Sequence, residues 1–299
     1  MADRVEASRG RRIQPALTRA PASSGTAAVA AGRTPPEAIF DHPVLYWRTL
    51  GRDDYRAALK AGVLESGIYL AESLHRDRPT VVFIHGAAGA PSQFAALAAG
   101  LIERANCAVF LWDDTARLAP NAERLRAALL RLPDCVTVVA HSMGFLLPAY
   151  AGATDPHGRL RRLAAVYLNP LIGGSRYAGD FRALRWLRLG PILQRAFFPP
   201  HILDLAPESD FQQTICGPAS GASSFAAQTR LLFTERRGRE PDIPPARVPS
   251  YFGQTREALL ERFGMVVRVP LPEASGHKAP LLKPDLVLPI VESLLNRRA

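Results

Sequence analysis

Residues 136–140, Val-Thr-Val-Val-Ala, run without a spacer into His141-Ser142-Met143-Gly144. A β-branched apolar segment that stops on a serine among small residues leaves the chain few choices. It reads as a buried strand that ends abruptly, a serine held in a strained backbone conformation with its hydroxyl exposed, and a helix that begins at once, the turn known as a nucleophile elbow. Strand and helix backbones pass so closely there that the positions two before and two after the serine need small residues. Here they are Ala140 and Gly144. The usual pattern has glycine at both, so Ala140 departs from it by one methyl group.

Other segments fall into register around this one. Strand-like runs at 67–70, 80–84, 107–112, 136–139, 164–168, 230–233 and 265–269 alternate with helical patterns at 93–104, 121–132, 146–151 and 285–296. Strands separated by helices predict an α/β protein with a doubly wound, mostly parallel sheet covered on both faces. Catalytic groups of such a sheet gather at the carboxyl ends of its strands. The 299 residues, 47% of them hydrophobic, suffice for one large domain. Residues 1–40, rich in Ala, Arg and Pro without hydrophobic period, read as a flexible tail, and 41–299 as the domain.

The alternation lapses between about 176 and 228, which marks a cap insertion. Within it, 181–189 reads as a short basic amphipathic helix and Phe197-Phe198-Pro199-Pro200 as a stiff aromatic loop. The insertion packs on the core with its arginines solvated, or forms a mobile lid over an apolar acyl pocket that touches lipid.

The net charge of +10 raises nucleic-acid binding. No helix-turn-helix, zinc-finger or RNA-recognition signature accompanies the arginines, so no nucleic-acid partner is expected. No apolar stretch approaches the roughly 20 residues of a membrane span, and 27–31 is too short for a signal-peptide core. The expectation is a cytoplasmic protein with at most peripheral membrane contact. Cys107, Cys135 and Cys216 are too widely spaced for a disulfide framework or a zinc site. Cys107 and Cys135 stand beside strands and read as buried thiols.

A serine hydroxyl needs a base to take its proton, and a histidine base needs a carboxylate to fix its tautomer. In doubly wound hydrolases the order is serine, acid, histidine. Of the histidines beyond Ser142, His157 follows the elbow too soon and His201 falls in the insertion. His277, in the loop Ala274-Ser275-Gly276-His277 between the last strand and the last helix, is the candidate base. The acid should follow the strand at 230–233. Asp242 in the proline-stiffened loop 238–245 is the best candidate, with Glu240 and Glu235 as rivals. Two backbone N–H groups should face the oxyanion: that of Met143, after the nucleophile, and that of Ala87, after the strand ending Ile84-His85-Gly86. His85 and His141 are then structural.

His85-Gly86 after a strand, the elbow from Ala140 to Gly144, Asp242 and Gly276-His277 together resemble the α/β-hydrolase superfamily over the chain from about residue 45 to its end. Within it, two looser phrases are similar to those of serine esterases and lipases. These are residues 169–175, which lack the histidine of the lipase sequence Thr-Pro-His-x-Gly-Ser, and 205–211, which resemble the return of a cap to the core. The resemblance implies an acyl-enzyme on Ser142, a carboxylic ester or lipid-like substrate with an apolar acyl group, and no cofactor or metal. HExxH, CxxC pairs, a phosphate loop and GxGxxG are all absent from the sequence. The same triad serves acyl transfer and thioester or amide cleavage. A non-catalytic binding protein and cofactor-free oxygenase chemistry on the same scaffold are the further alternatives.

Overall fold

The computed structural model describes residues 45–72, 74–132, 135–174, 200–218, 228–236, 252–271 and 277–295. Its strands are β1 (Gly67–Leu70), β2 (Thr80–Ile84), β3 (Asn106–Leu111), β4 (Val136–His141), β5 (Ala164–Leu168), β6 (Thr229–Arg236) and β7 (Met265–Leu271). They form one sheet in the order β1-β3-β2-β4-β5-β6-β7. Only β1 runs antiparallel, against β3; the rest are parallel. Strands β2 to β5 are buried at every position. That explains why their sequences are continuous apolar runs and not alternations: a parallel sheet is covered on both faces.

The two faces nevertheless sort by parity along each strand. Val82 and Ile84 of β2 and Val138 and Ala140 of β4 pack with helices α3 (Leu118–Leu129), α4 (Leu146–Ala153) and α6 (Arg256–Phe263). Val81, Phe83 and Val139 face the other side, toward α2 (Ala95–Leu101), α8 (Leu288–Leu295) and the first described segment with Trp47 and Tyr55. There Phe83 stacks on Phe94 and lies against Trp47. Each fully buried large side chain of this kind contributes roughly 1.5–3 kcal/mol.

The elements correct several sequence boundaries. Helix α3 starts at Leu118, not at 121, because Pro120 sits in the first turn, where no intrahelical donor is needed. A distant residue supplies its cap: the buried Asp204 carboxylate accepts the Leu118 N–H at 2.7 Å and pairs with Arg117. The last helix is a 3-10 turn (Pro284–Leu286) followed by α8. Strands β6 and β7 run to Arg236 and Leu271, beyond their expected ends. Helices α1 (Arg52–Lys60), α5 (Asp210–Cys216), α6 and α7 (Ala279–Leu282) were not expected from periodicity. Cys107 is buried as expected, but Cys135 is exposed, because it precedes β4.

Of the insertion, 200–218 is described, and it is ordered against the core. Ser209 caps α5 by accepting from the Gln212 N–H at 3.1 Å, and its hydroxyl donates to the Asp204 carbonyl. Phe211 stacks on Tyr150 of α4 at 4.6 Å. The tail, 181–189 and the aromatic loop 197–199 lie outside the described residues. Among the described residues no helix is long and apolar enough to cross a membrane.

Candidate active site

Strand β4 ends at His141, and Ser142 follows with φ of +53°. This left-handed conformation costs an L-residue roughly 1–2 kcal/mol. A 3-10 turn (Ser142–Phe145) then leads straight into α4. The strain is maintained by backbone packing against the exit of β2. A Cβ placed on Gly144 would lie 2.5 Å from the His85 carbonyl oxygen and 2.7 Å from that of Ile84. One on Gly86 would lie 2.8 Å from Cβ of Ser142 and 2.9 Å from the His141 carbonyl oxygen. Both positions therefore require glycine. Ala140 is buried between its register partners Ile84 and Tyr167, and the structure accommodates its methyl group within the core.

The turn after β2 closes with a Gly89 N–H donating to the Gly86 carbonyl at 3.1 Å, and Ala88, its third residue, has φ of +53°. The Ala88 N–H is taken by Asp114 at 2.8 Å. That leaves the Ala87 N–H of this turn without an acceptor among the described residues, as is the Met143 N–H at the start of the 3-10 turn. Both belong to the residues that the sequence names as candidate donors, and Gly86, the neighbour of Ala87, lies against the elbow.

His85 is fully buried and stacked on Trp112. The Gly86 carbonyl, 2.9 Å from Nδ1, can only accept, so the proton sits on Nδ1, and Nε2 accepts from the Tyr55 hydroxyl at 2.9 Å. Burial holds this imidazole below its ordinary range and neutral. His141 is buried beside it, and desolvation pushes it down to about 4. Its Nε2–H donates to the His277 carbonyl at 3.1 Å. Both histidines are thus engaged in packing and hydrogen bonding.

His277 lies beside the elbow, its ring centroid 4.9 Å from that of His141. Two side chains from neighbouring strands grip its carbonyl: His141 and Asn169, whose Nδ2 donates at 2.8 Å. Asn169, with φ of +43° just past β5, also donates to the Thr234 hydroxyl and accepts the Thr234 N–H, both at 2.9 Å. It ties the ends of β5 and β6 to the histidine loop. In the sequence Asn169 stands out only as the first residue of the lipase-like phrase 169–175, a polar residue directly after the apolar run 164–168, and nothing there assigns it a role.

Asp242 and Glu240 lie outside the described residues, as does the side chain of Glu235. The backbone register pairs Arg236 with Leu271, so the loops expected to carry acid and base leave adjacent strands at the same level. The other histidines stand apart from this arrangement. His157 is exposed after Asp155, and His201 is half-buried beside the backbone of Thr115. Among the described residues no three His, Cys, Asp or Glu side chains gather as metal ligands. A cleft of about 820 Å³ lies on the α1 flank, lined by Arg56, Lys60, Asp113, Thr115 and Arg124. It includes none of Ser142, His277, Ala87 or Met143.

The sequence model of the Alpha/beta hydrolase family matches residues 81–290. Comparison with curated proteins found no match. Among solved structures, a carboxylesterase of Nitrososphaera gargenis is similar at 12% identity and a TM-score of 0.49, over 77% of this chain and 94% of its own. A lipase of Bacillus licheniformis is similar at 15% identity and a TM-score of 0.48, over 76% and 97%. MenH of S. aureus is similar at 13% identity and a TM-score of 0.47, over 78% and 99%.

Proposed function

The chain belongs to the alpha/beta hydrolase family, and from that premise we propose that it cleaves carboxylic esters of apolar acids through an acyl-enzyme on Ser142. The observation that carries this reading is the left-handed Ser142 at the junction of β4 and α4, with Gly86 packed against it and Gly144 against the exit of β2. A strained serine at that junction presents its hydroxyl to substrate and not to the core.

In this mechanism Ser142 Oγ attacks the acyl carbon while the His277 imidazole takes its proton. The carbonyl oxygen becomes an oxyanion facing the Met143 and Ala87 N–H groups, each worth roughly 3 kcal/mol in the transition state. The C–O bond to the alcohol breaks, and His277 returns the proton to the leaving oxygen. Water, deprotonated by the same imidazole, then attacks the acyl-enzyme, and the second tetrahedral intermediate releases the acid and restores Ser142. Asp242 orients the imidazole and stabilises its charged form. The leucine and aromatic residues of the insertion, with Phe197 and Phe198 among them, favour apolar acyl chains and contact with a lipid surface.

Incubation with a fluorescent fluorophosphonate, alongside turnover of p-nitrophenyl esters of increasing acyl length, tests this. Labelling and turnover should vanish in Ser142→Ala and His277→Ala and favour chains longer than acetyl. A folded wild-type protein that neither labels nor turns over any ester would overturn the reading in favour of a binding protein on the same scaffold.

A further inference from the structure

A buried chain of polar contacts runs from α1, across the end of β3, to the turn that carries the Ala87 N–H. Asp114 is 1% exposed and pairs in bidentate fashion with Arg56: Nε donates to Oδ1 at 2.8 Å, and Nη2 donates to Oδ2. The same Oδ2 accepts the Ala88 N–H at 2.8 Å. Ala88 is held at φ of +53°, at the turn position where glycine is ordinarily found. A Cβ disfavours that conformation, so turn 86–89 requires an external restraint. A charged acceptor makes a stronger bond than a neutral one, and a bidentate guanidinium fixes the orientation of the carboxylate.

We propose that Asp114, oriented by Arg56, is a positioning residue that holds turn 86–89 so that the Ala87 N–H faces the acyl oxygen bound at Ser142. This rests on the esterase reading above. The pair does not touch substrate. Its effect falls on the transition state, where charge develops on that oxygen, and not on ground-state binding of the acyl chain.

The test uses the full chain with Asp114→Asn, which keeps the side-chain shape, and the double variant Arg56→Leu/Asp114→Leu, in which apolar residues replace the ion pair and preserve packing. Both are measured for melting temperature, for kcat and KM on p-nitrophenyl butyrate, and for inhibition by butylboronic acid, which forms a tetrahedral adduct on serine. The expected result is a fall in kcat of roughly 10- to 100-fold with KM within about threefold, a parallel loss of boronic acid affinity, and part of the kcat regained when Ala88→Gly is added to Asp114→Asn. Glycine adopts the left-handed turn without the restraint. If kcat stays within twofold in a wild-type-like fold, or if kcat declines only in step with melting temperature and Ala88→Gly restores nothing, the pair is a structural anchor and the inference fails while the esterase reading stands. A wild-type protein without labelling or turnover overturns both.

Discussion

Two loops at the carboxyl edge of the sheet, the Ser142 elbow and the His277 loop, are held in opposite ways. The elbow is kept by backbone: one strand, one turn and one helix contiguous in sequence, wedged against the β2 exit through Gly86 and Gly144. The His277 loop is kept by side chains. His141 and Asn169, 136 and 108 residues earlier in the chain, both donate to one carbonyl. A backbone wedge tolerates no added atom, whereas a hydrogen-bonded tether loosens by degrees when one donor is lost.

The largest effect tests what the elbow is for. Ser142→Ala should lower ester turnover by about 10⁴-fold or more with the fold retained, as read by p-nitrophenyl ester kinetics and circular dichroism. Ser142→Gly should be equally inactive yet about 1 kcal/mol more stable than Ser142→Ala in urea melts, since glycine carries no penalty at positive φ. Equal stabilities would mean that the elbow stores no strain.

Gly144→Ala attacks the wedge itself. Its Cβ would meet two backbone carbonyls, neither of which has a rotamer to yield, and a loss of about 3 kcal/mol is expected in denaturant unfolding. A melt unchanged from wild type would break the distinction drawn between the two loops.

Acid should strike the histidine side of the comparison. Burial pushes His141 down to about 4 in the folded chain, against about 6.5 for an unfolded histidine. Between those values the unfolded state binds more protons, so stability is full above about pH 6.5 and falls as the pH drops toward 4, by about 3 kcal/mol in all. His85, shifted in the same direction by burial, adds to the loss. Unfolding free energies measured from pH 7 to 4 should show this slope, and His141→Gln should flatten it; an unaltered slope in that variant would remove His141 as its source.

The smallest effect probes the tether. Asn169→Ala leaves the Thr234 N–H without its acceptor and His277 with one donor of two. It should cost about 1–2 kcal/mol and lower turnover by about tenfold, with fluorophosphonate labelling slowed and not abolished. Full activity would show that His141 alone suffices to seat the loop.

The elbow was legible because everything it needs is adjacent: an apolar run, a serine, and small residues at the two critical positions. The strands of the buried parallel sheet were legible for the same reason, and Gly86, packed against the elbow, followed from one strand end. Helix α1 was not, since its apolar stripe is only Tyr55, Ala58 and Leu59, too short to stand out as a helical period. Nor was the start of α3.

By itself, then, the sequence determined the sheet, its central serine turn and the histidine expected to serve it, because local patterns of apolarity and size decide which backbone forms. Only the tertiary structure decided which polar groups hold those pieces in register. The Asp204 cap on α3, the Asn169 tether and the Arg56–Asp114 restraint on turn 86–89 each join groups remote in sequence. A buried polar atom finds its partner by strand order and helix placement, and neither is written in the residues around it.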